Sequence, residues 1–277
     1  MPAASVLIGM TGLRPDPFPE NPRNSREIFQ PSGFGHINRP MWRFTVRARQ
    51  WWSGRSAVST RSIRYWGHGE RGLAPVLFVH GYCGSERVWA PLRAALTAAG
   101  FNCLISLCYN AVTSDVHEVA ERLVDESRRA LVATGAGKVH LIGHSLGGLV
   151  VREAVQRRGL AASTGTAVTI ATPHSGTWVA RFGLGPSARA MRPGSDFLNE
   201  LGQPDLSTGP RWVMLHGGSD RVVSSSSAIP DSDDARVITL RPADAGHRSI
   251  TRHAVVVRSI VKELLHADRS APELLAA

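Results

Sequence analysis

Residues 138–151, KVHLIGHSLGGLVV, constrain the fold of this chain more than any other stretch. Val139 to Ile142 are apolar and β-prone, a short buried strand, and Leu146 to Gln156 carry Leu149, Val150 and Val155 on one side of a helix. Between them stands Gly143-His144-Ser145-Leu146-Gly147, a G-x-S-x-G placed where a strand turns sharply into a helix. A serine on such a turn has a crowded backbone, so its neighbours two before and two after must lack side chains. Gly148 extends the small run and lets the helix approach the sheet. The helix start aims backbone N–H groups and the positive end of its dipole at whatever forms beside Ser145 Oγ.

The same strand-then-helix alternation runs through most of the chain. Residues 62–66 read as an early strand and 75–80 (PVLFVH) as a buried one, ending in His80-Gly81-Tyr82. A helix opens at Ser85 with Val88, Trp89, Leu92 and Leu96 on one face and closes at Gly100. Residues 101–107 form the next strand, and Asp115 with Glu118 starts a helix that stops at Gly135. Strands follow at 167–171, 212–216 and 236–240, and a final helix runs from about Ser249 to Leu265. Residues 178–210 break the pattern, punctuated by Gly183, Gly185, Pro186, Pro193, Gly194, Pro204 and Pro210. The expectation is an α/β fold with a mostly parallel central sheet, helices on both faces, and an insertion at 178–210.

At 277 residues and 43% hydrophobic, the chain can bury one sizeable core. Its net charge of +10 is uneven: residues 1–72 carry +7, and nearly all the basic residues are arginines, the only lysines being Lys138 and Lys262. Residues 1–60 therefore read as a basic, partly irregular N-terminal extension to a catalytic domain over 61–277. From Arg39 to Arg64 there are seven arginines and no acid, with Trp42, Trp51, Trp52 and Trp66 interleaved. That composition suits an anionic membrane surface at 39–66. The alternative is aromatics on the edge of the core with solvated arginines; no nucleic acid partner is expected. No run is long enough to span a membrane and the opening lacks signal-peptide features, so a cytoplasmic or peripheral-membrane location is favoured. No metal-ligand spacing is visible, and no cofactor is called for.

A serine hydroxyl is a weak nucleophile that needs a base, and the base needs an orienting carboxylate. Strand ends of a parallel sheet share one rim, where His80, Ser145, His174, Asp220 and His247 all fall. The order Ser145, Asp220, His247 makes these the candidate nucleophile, acid and base. Asp231, Asp233 and Asp234 read as a solvated acidic turn, Asp244 as too close to His247, and His144 as pointing away from Ser145. His253 and His266 are assigned to the final helix, and His174 is the rival base, otherwise a pocket wall. The oxyanion needs two donors, for which the backbone N–H groups of Tyr82 and Leu146 are the candidates. Gly81 lets the backbone approach the substrate, and His80, Gly81 and His174 are the candidate substrate-contacting residues.

The segments FVHGYCGSERVW, HLIGHSLGGLVVR, TIATPHSGTWVA, RAMRPGSDFL and HGGSDRVV, with the later Gly246-His247, resemble the actinobacterial triacylglycerol lipase/esterase group of the α/β-hydrolase superfamily. The resemblance covers about 62–266. It implies an α/β-hydrolase fold, cleavage of carboxylic esters of lipid-like acyl groups through an acyl-enzyme, and a cap or lid at 178–210. Acyl transfer with the same triad, or non-catalytic binding to a lipid surface, are the alternatives. The resemblance also implies that the strand ending at His80 neighbours the one ending near Leu107. Cys83 and Cys108 would then lie within disulfide reach, against the alternative of three separate thiols including Cys103.

Overall fold

A computed structural model of the chain describes residues 63–66, 72–205, 209–229 and 237–274. All of them belong to the unit spanning 57–277. The extension 1–60, most of the Arg/Trp stretch 39–66 and the acidic turn with Asp231, Asp233 and Asp234 lie outside the described residues.

Seven strands form one sheet: β1 (Ile63–Trp66), β2 (Val76–Val79), β3 (Leu104–Leu107), β4 (Val139–His144), β5 (Thr164–Ile170), β6 (Arg211–Leu215) and β7 (Val237–Leu240). Their order across the sheet is β1-β3-β2-β4-β5-β6-β7. Only β1 is antiparallel, pairing Ile63 with Leu107 at the edge; the other five pairings are parallel. The helices are α1 (Ala90–Ala98), α2 (Val116–Thr134), α3 (Leu146–Arg157), α4 (Gly185–Ala190), α5 (Asp196–Leu201), α6 (Ser225–Ala228) and α7 (Ala254–Leu274).

Strand residues alternate between two cores because successive side chains point to opposite faces. Leu77, Val79, Leu141, Trp212 and Met214 pack with α2 and α3 residues such as Leu123 and Leu149. Val76, Phe78, Ile142, Val213 and Leu215 pack on the other face with Trp89, Leu92, Ile260 and Leu264 of the α1 and α7 regions. Helix ends follow local chemistry. Asp115 caps α2 by accepting the His117 N–H at 2.8 Å, and Gly135 ends it with φ of 70°.

Two features differ from the expectation. The final helical region is broken by a 3-10 turn at Ser249–Arg252 and then runs nine residues past Leu265, to Leu274. His253 sits at the break, its Nε2 3.1 Å from Asp244 Oδ1. β2 and β3 are neighbours as the resemblance implied, but all three cysteines are free thiols and Cys83 is exposed. Cys83 belongs to the tight turn after β2, with φ of 54°, whereas Cys108 Sγ lies 4.0 Å from Ser106 O.

From β2 the chain passes outward to β3, then returns to β4 on the opposite side of β2. Connections that leave adjacent strands in opposite directions open a crevice at their carboxyl ends. His80-Gly81-Tyr82 and Ser145 lie at that crevice.

Candidate active site

Ser145 has φ of 54° and ψ of −122°, a conformation that side chains adopt only when the surroundings enforce it. The surroundings here are backbone. A Cβ on Gly143 would meet Gly147 O at 2.4 Å, and one on Gly147 would meet Val79 O at 2.0 Å. A Cβ on Gly148 would fall 1.9 Å from Thr172 Oγ1. Strand, turn and helix thus close on each other with no room for a methyl group. Gly147→Ala is expected to destabilise the fold by about 3 kcal/mol, because the obstructing atom is a strand carbonyl that cannot swing aside. A urea melt would read the loss as a lower midpoint at unchanged slope.

Asp220 follows β6 through Gly217-Gly218-Ser219, and His247 follows β7. The two loops are zipped together. Gly218 N–H donates to Pro242 O at 2.8 Å and Ser219 N–H to Ala245 O at 3.0 Å, while Ser219 Oγ donates to Ala243 O at 2.8 Å. The paired glycines are needed for this contact: a Cβ on Gly217 would lie 2.2 Å from Ala245 O and one on Gly218 2.7 Å from Ala243 Cα. In this way residues 27 apart in sequence come into contact.

The structure brings Ser145, His247 and Asp220 into one line. His247 Nε2 is 3.2 Å from Ser145 Oγ, and His247 Nδ1 is 2.8 Å from Asp220 Oδ2. The Asp220 side chain is fully buried. Its Oδ1 accepts the N–H groups of Val222 at 2.8 Å and Val223 at 3.1 Å. Burial alone would raise the Asp220 carboxyl; the His247 hydrogen bond and charge, with the two backbone N–H groups, outweigh it and hold the group below its ordinary value. Asp244, by contrast, is exposed and paired with His253.

Gly81 abuts the nucleophile: a Cβ there would stand 2.9 Å from Ser145 Cβ. Its position is held by His80, whose Nδ1–H donates to Gly81 O at 3.0 Å. The His80 ring stacks on Tyr109 at 4.4 Å, and Tyr109 Oη donates to His80 O at 2.6 Å. His80 is therefore buried support beneath the loop. The Tyr82 hydroxyl donates to Leu184 O at 2.8 Å and accepts Leu184 N–H at 2.9 Å, tying this loop to the insertion. Leu146 is the first residue of α3, so its N–H has no preceding helical turn to bond. His174 is placed elsewhere. Its Nε2 is 3.1 Å from Thr169 Oγ1 and its Nδ1 faces the Arg152 guanidinium at 3.4 Å; burial, then Arg152, hold it neutral well below its ordinary value.

Two histidines outside the expected set support the line. His144 does not point away from the site: its Nε2–H donates to His247 O at 2.8 Å, fixing the backbone of the candidate base. His216 Nε2–H donates to Val223 O at 3.1 Å, bracing the turn that cradles Asp220. The first contact has no local sequence signal, since it joins different strand ends, whereas the second closes one loop after β6. Burial first, then the charge of His247, lowers the His144 pKa from 6.5 to about 4. An unfolded chain thus binds more protons than the folded one between those values. His144 stability is complete above about pH 6.5 and is lost as pH falls toward 4. Between pH 7.5 and 5 the expected loss from His144 is ~2 kcal/mol, and His144→Gln should flatten that part of the curve in denaturant melts.

Two cavities flank the line. One of about 580 Å³ is bounded by Gly81, Tyr82, Cys83, His144 and His247. The other, of about 660 Å³, is bounded by Thr177, Trp178, Val179, Asp220 and Val223. The insertion exposes Trp178 and Val179 at the second cavity, and Phe182 and Leu184 elsewhere on its surface, Leu184 being bonded to Tyr82 of the first. It is anchored to α3 by the buried Arg152, which donates to Gly202 O at 2.8 Å and His174 O at 3.3 Å.

Residues 76–198 match the alpha/beta hydrolase family. A triacylglycerol lipase of Pseudarthrobacter phenanthrenivorans is 34% identical over 117 residues, which cover 39% of this chain and 35% of that lipase. The match thus spans about a third of that relative's length. Among solved structures, Aspergillus fumigatus lipase B superposes with a TM-score of 0.62 at 17% identity, covering 72% of this chain and 55% of that one. Bacillus licheniformis lipase BlEst2 in its mature form gives 0.59 at 17% identity, covering 69% of this chain and 92% of that one. The sheet order, the serine elbow and these superpositions give the chain an α/β-hydrolase fold, and residues 76–198 carry the family match.

Proposed function

We propose that this chain hydrolyses carboxylic esters of acyl lipids through an acyl-enzyme on Ser145. The carrying observation is the hydrogen-bonded line from Ser145 Oγ to His247 Nε2 and from His247 Nδ1 to Asp220. In this reading His247 takes the Ser145 proton as Oγ attacks the ester carbonyl. The Tyr82 and Leu146 N–H groups hold the oxyanion, and Asp220, kept ionised, stabilises the imidazolium. His247 then gives its proton to the leaving alcohol, and a water activated by the same nitrogen releases the acid. The lipase relatives and the exposed apolar residues of the insertion favour a lipid-like acyl group, with 178–210 as its cap.

Two measurements test the reading. A fluorophosphonate probe should label the protein once, with the adduct mapping to Ser145 by mass spectrometry. A p-nitrophenyl ester series from acetate to palmitate should then give the chain-length profile. A folded protein that neither labels nor turns over any ester would refute it. Attachment of 39–66 to an anionic membrane belongs to the same proposal. Co-sedimentation of the full chain with phosphatidylglycerol vesicles, lost on Arg-to-Ser changes in that stretch, is the outcome it expects.

A further inference from the structure

The cavity of about 580 Å³ beside His247 differs in chemistry from the apolar surface of the insertion. Besides the loop at Gly81 and Tyr82, it is lined by Arg87, Arg248 and Arg252. Arg87 comes from the 3-10 turn Glu86–Trp89 that follows β2. Arg248 and Arg252 bracket the 3-10 turn Ser249–Arg252 that follows His247, and the two turns pack together. Three arginines are thus gathered on one wall by elements 160 residues apart, with their side chains exposed to the cleft.

Arginines on a surface normally find carboxylates, and among the described residues these three do not. Asp244, on the loop that carries His247, pairs with His253 instead. Among the described residues no carboxylate forms an ion pair with Arg87, Arg248 or Arg252. Three guanidinium groups lining one concavity, with no ion pair among the described residues, repel each other, a cost that a bound anion removes. Guanidinium forks also match the oxygens of a phosphate better than any neutral group.

The position of the cleft says which part of a substrate it holds. The leaving group must lie against the nitrogen that protonates it, and His247 is a wall of this cleft and is absent from the lining of the other cavity. We infer that the cleft is an anion subsite for the leaving group: the ester cleaved at Ser145 carries a phosphate on its alcohol or thiol side, seated by Arg87, Arg248 and Arg252. This rests on the reading of Ser145 as an ester-cleaving nucleophile. It narrows that reading from acyl lipids in general to amphiphiles with an acyl chain at one end and a phosphate at the other. The step itself is ordinary acyl transfer: the serine ester forms, the C–O or C–S bond breaks, and the phosphate-bearing alcohol or thiol leaves with the proton from His247.

Binding and turnover test it separately. The full-length Ser145→Ala protein would be titrated in a calorimeter with 1-O-octylglycerol 3-phosphate and with 1-O-octylglycerol, two ethers that cannot be cleaved. The phosphate is expected to bind at least about tenfold more tightly, and the Arg87→Gln/Arg252→Gln pair to remove that advantage. Both positions are exposed, so the exchange should leave the melting temperature in place. Equal affinity for the two ethers, or an advantage that survives the double exchange, overturns the subsite. Wild-type kcat/KM for octanoyl-glycerol phosphate against monooctanoylglycerol, and for octanoyl-coenzyme A against its N-acetylcysteamine thioester, then identifies the source. A preference in the first pair names a lipid headgroup, and in the second a carrier thioester. Absence of any turnover of p-nitrophenyl octanoate would sink the hydrolase reading while the calorimetric result on the cleft still stands or falls by itself.

Discussion

Ser145→Ala is expected to lower kcat toward p-nitrophenyl esters by about 10⁶-fold, to the level left by the oxyanion donors and binding alone. The size follows from geometry. Ser145 Oγ is the one nucleophile within reach of His247 Nε2 among the described residues, at 3.2 Å. His174 offers no substitute base, since both its ring nitrogens face Thr169 and Arg152. Alanine keeps the Cβ and inherits the same φ of 54°, so the strain of the turn is unchanged. The melting temperature should therefore move by no more than a few degrees, and KM for a short ester should change far less than kcat. A variant that retains more than a hundredth of the wild-type rate, with contaminating esterases excluded by probe labelling, would show that the chemistry lies elsewhere.

The second large effect is expected at Asp220→Asn, a loss of about 10⁴ in kcat with the backbone intact. The direction of the amide is dictated by the site. Oδ1 accepts from both Val222 and Val223, so the asparagine oxygen must stay there and its NH₂ must face His247 Nδ1. Nδ1 then becomes the acceptor, the proton moves to Nε2, and the nitrogen nearest Ser145 can no longer take the serine's proton. Asp220→Asn should consequently remain folded, bind short esters with a KM near that of wild type, and label slowly with the fluorophosphonate. Nitrogen NMR of His247 would report the switched tautomer. The native carboxyl, held below its ordinary value by His247 and the two N–H groups, is expected to take up its proton at lower pH than an unpaired aspartate. Its stabilising contact is present above the unfolded value and is lost only as pH falls through the lower folded one.

Much of this architecture was legible before any coordinate. The elbow could be read because its glycine spacing is local in sequence, although only Gly143 makes room for a near neighbour, Gly147 O, while Gly147 and Gly148 clear Val79 O and Thr172 of other segments. Strand and helix types followed from apolar periodicity, and element ends from Asp115 and Gly135, which act on their own neighbours. The order Ser145, Asp220, His247 carried the site because open parallel sheets present strand ends on one rim.

The rest depends on which segments meet. Nothing near His144 signals that it will hold the carbonyl of His247, 103 residues away. His80 and His174 had the right positions at strand ends, yet one supports the Gly81 loop from beneath and the other is bound into the interior by Arg152. Cys83 and Cys108 follow neighbouring strands, as the topology required, and still remain free, because proximity of strand ends does not determine where side chains point. The arginine cleft is the same kind of feature: Arg87 and Arg248 come to line one cavity only when two 3-10 turns pack beside His247. Sequence alone determined the glycine spacing of the turn, the periodicities and the chain order of Ser145, Asp220 and His247, all of which are legible along the chain itself. Tertiary structure decided which side chains face one another, because that depends on the packing of strand ends and loops far apart in the chain.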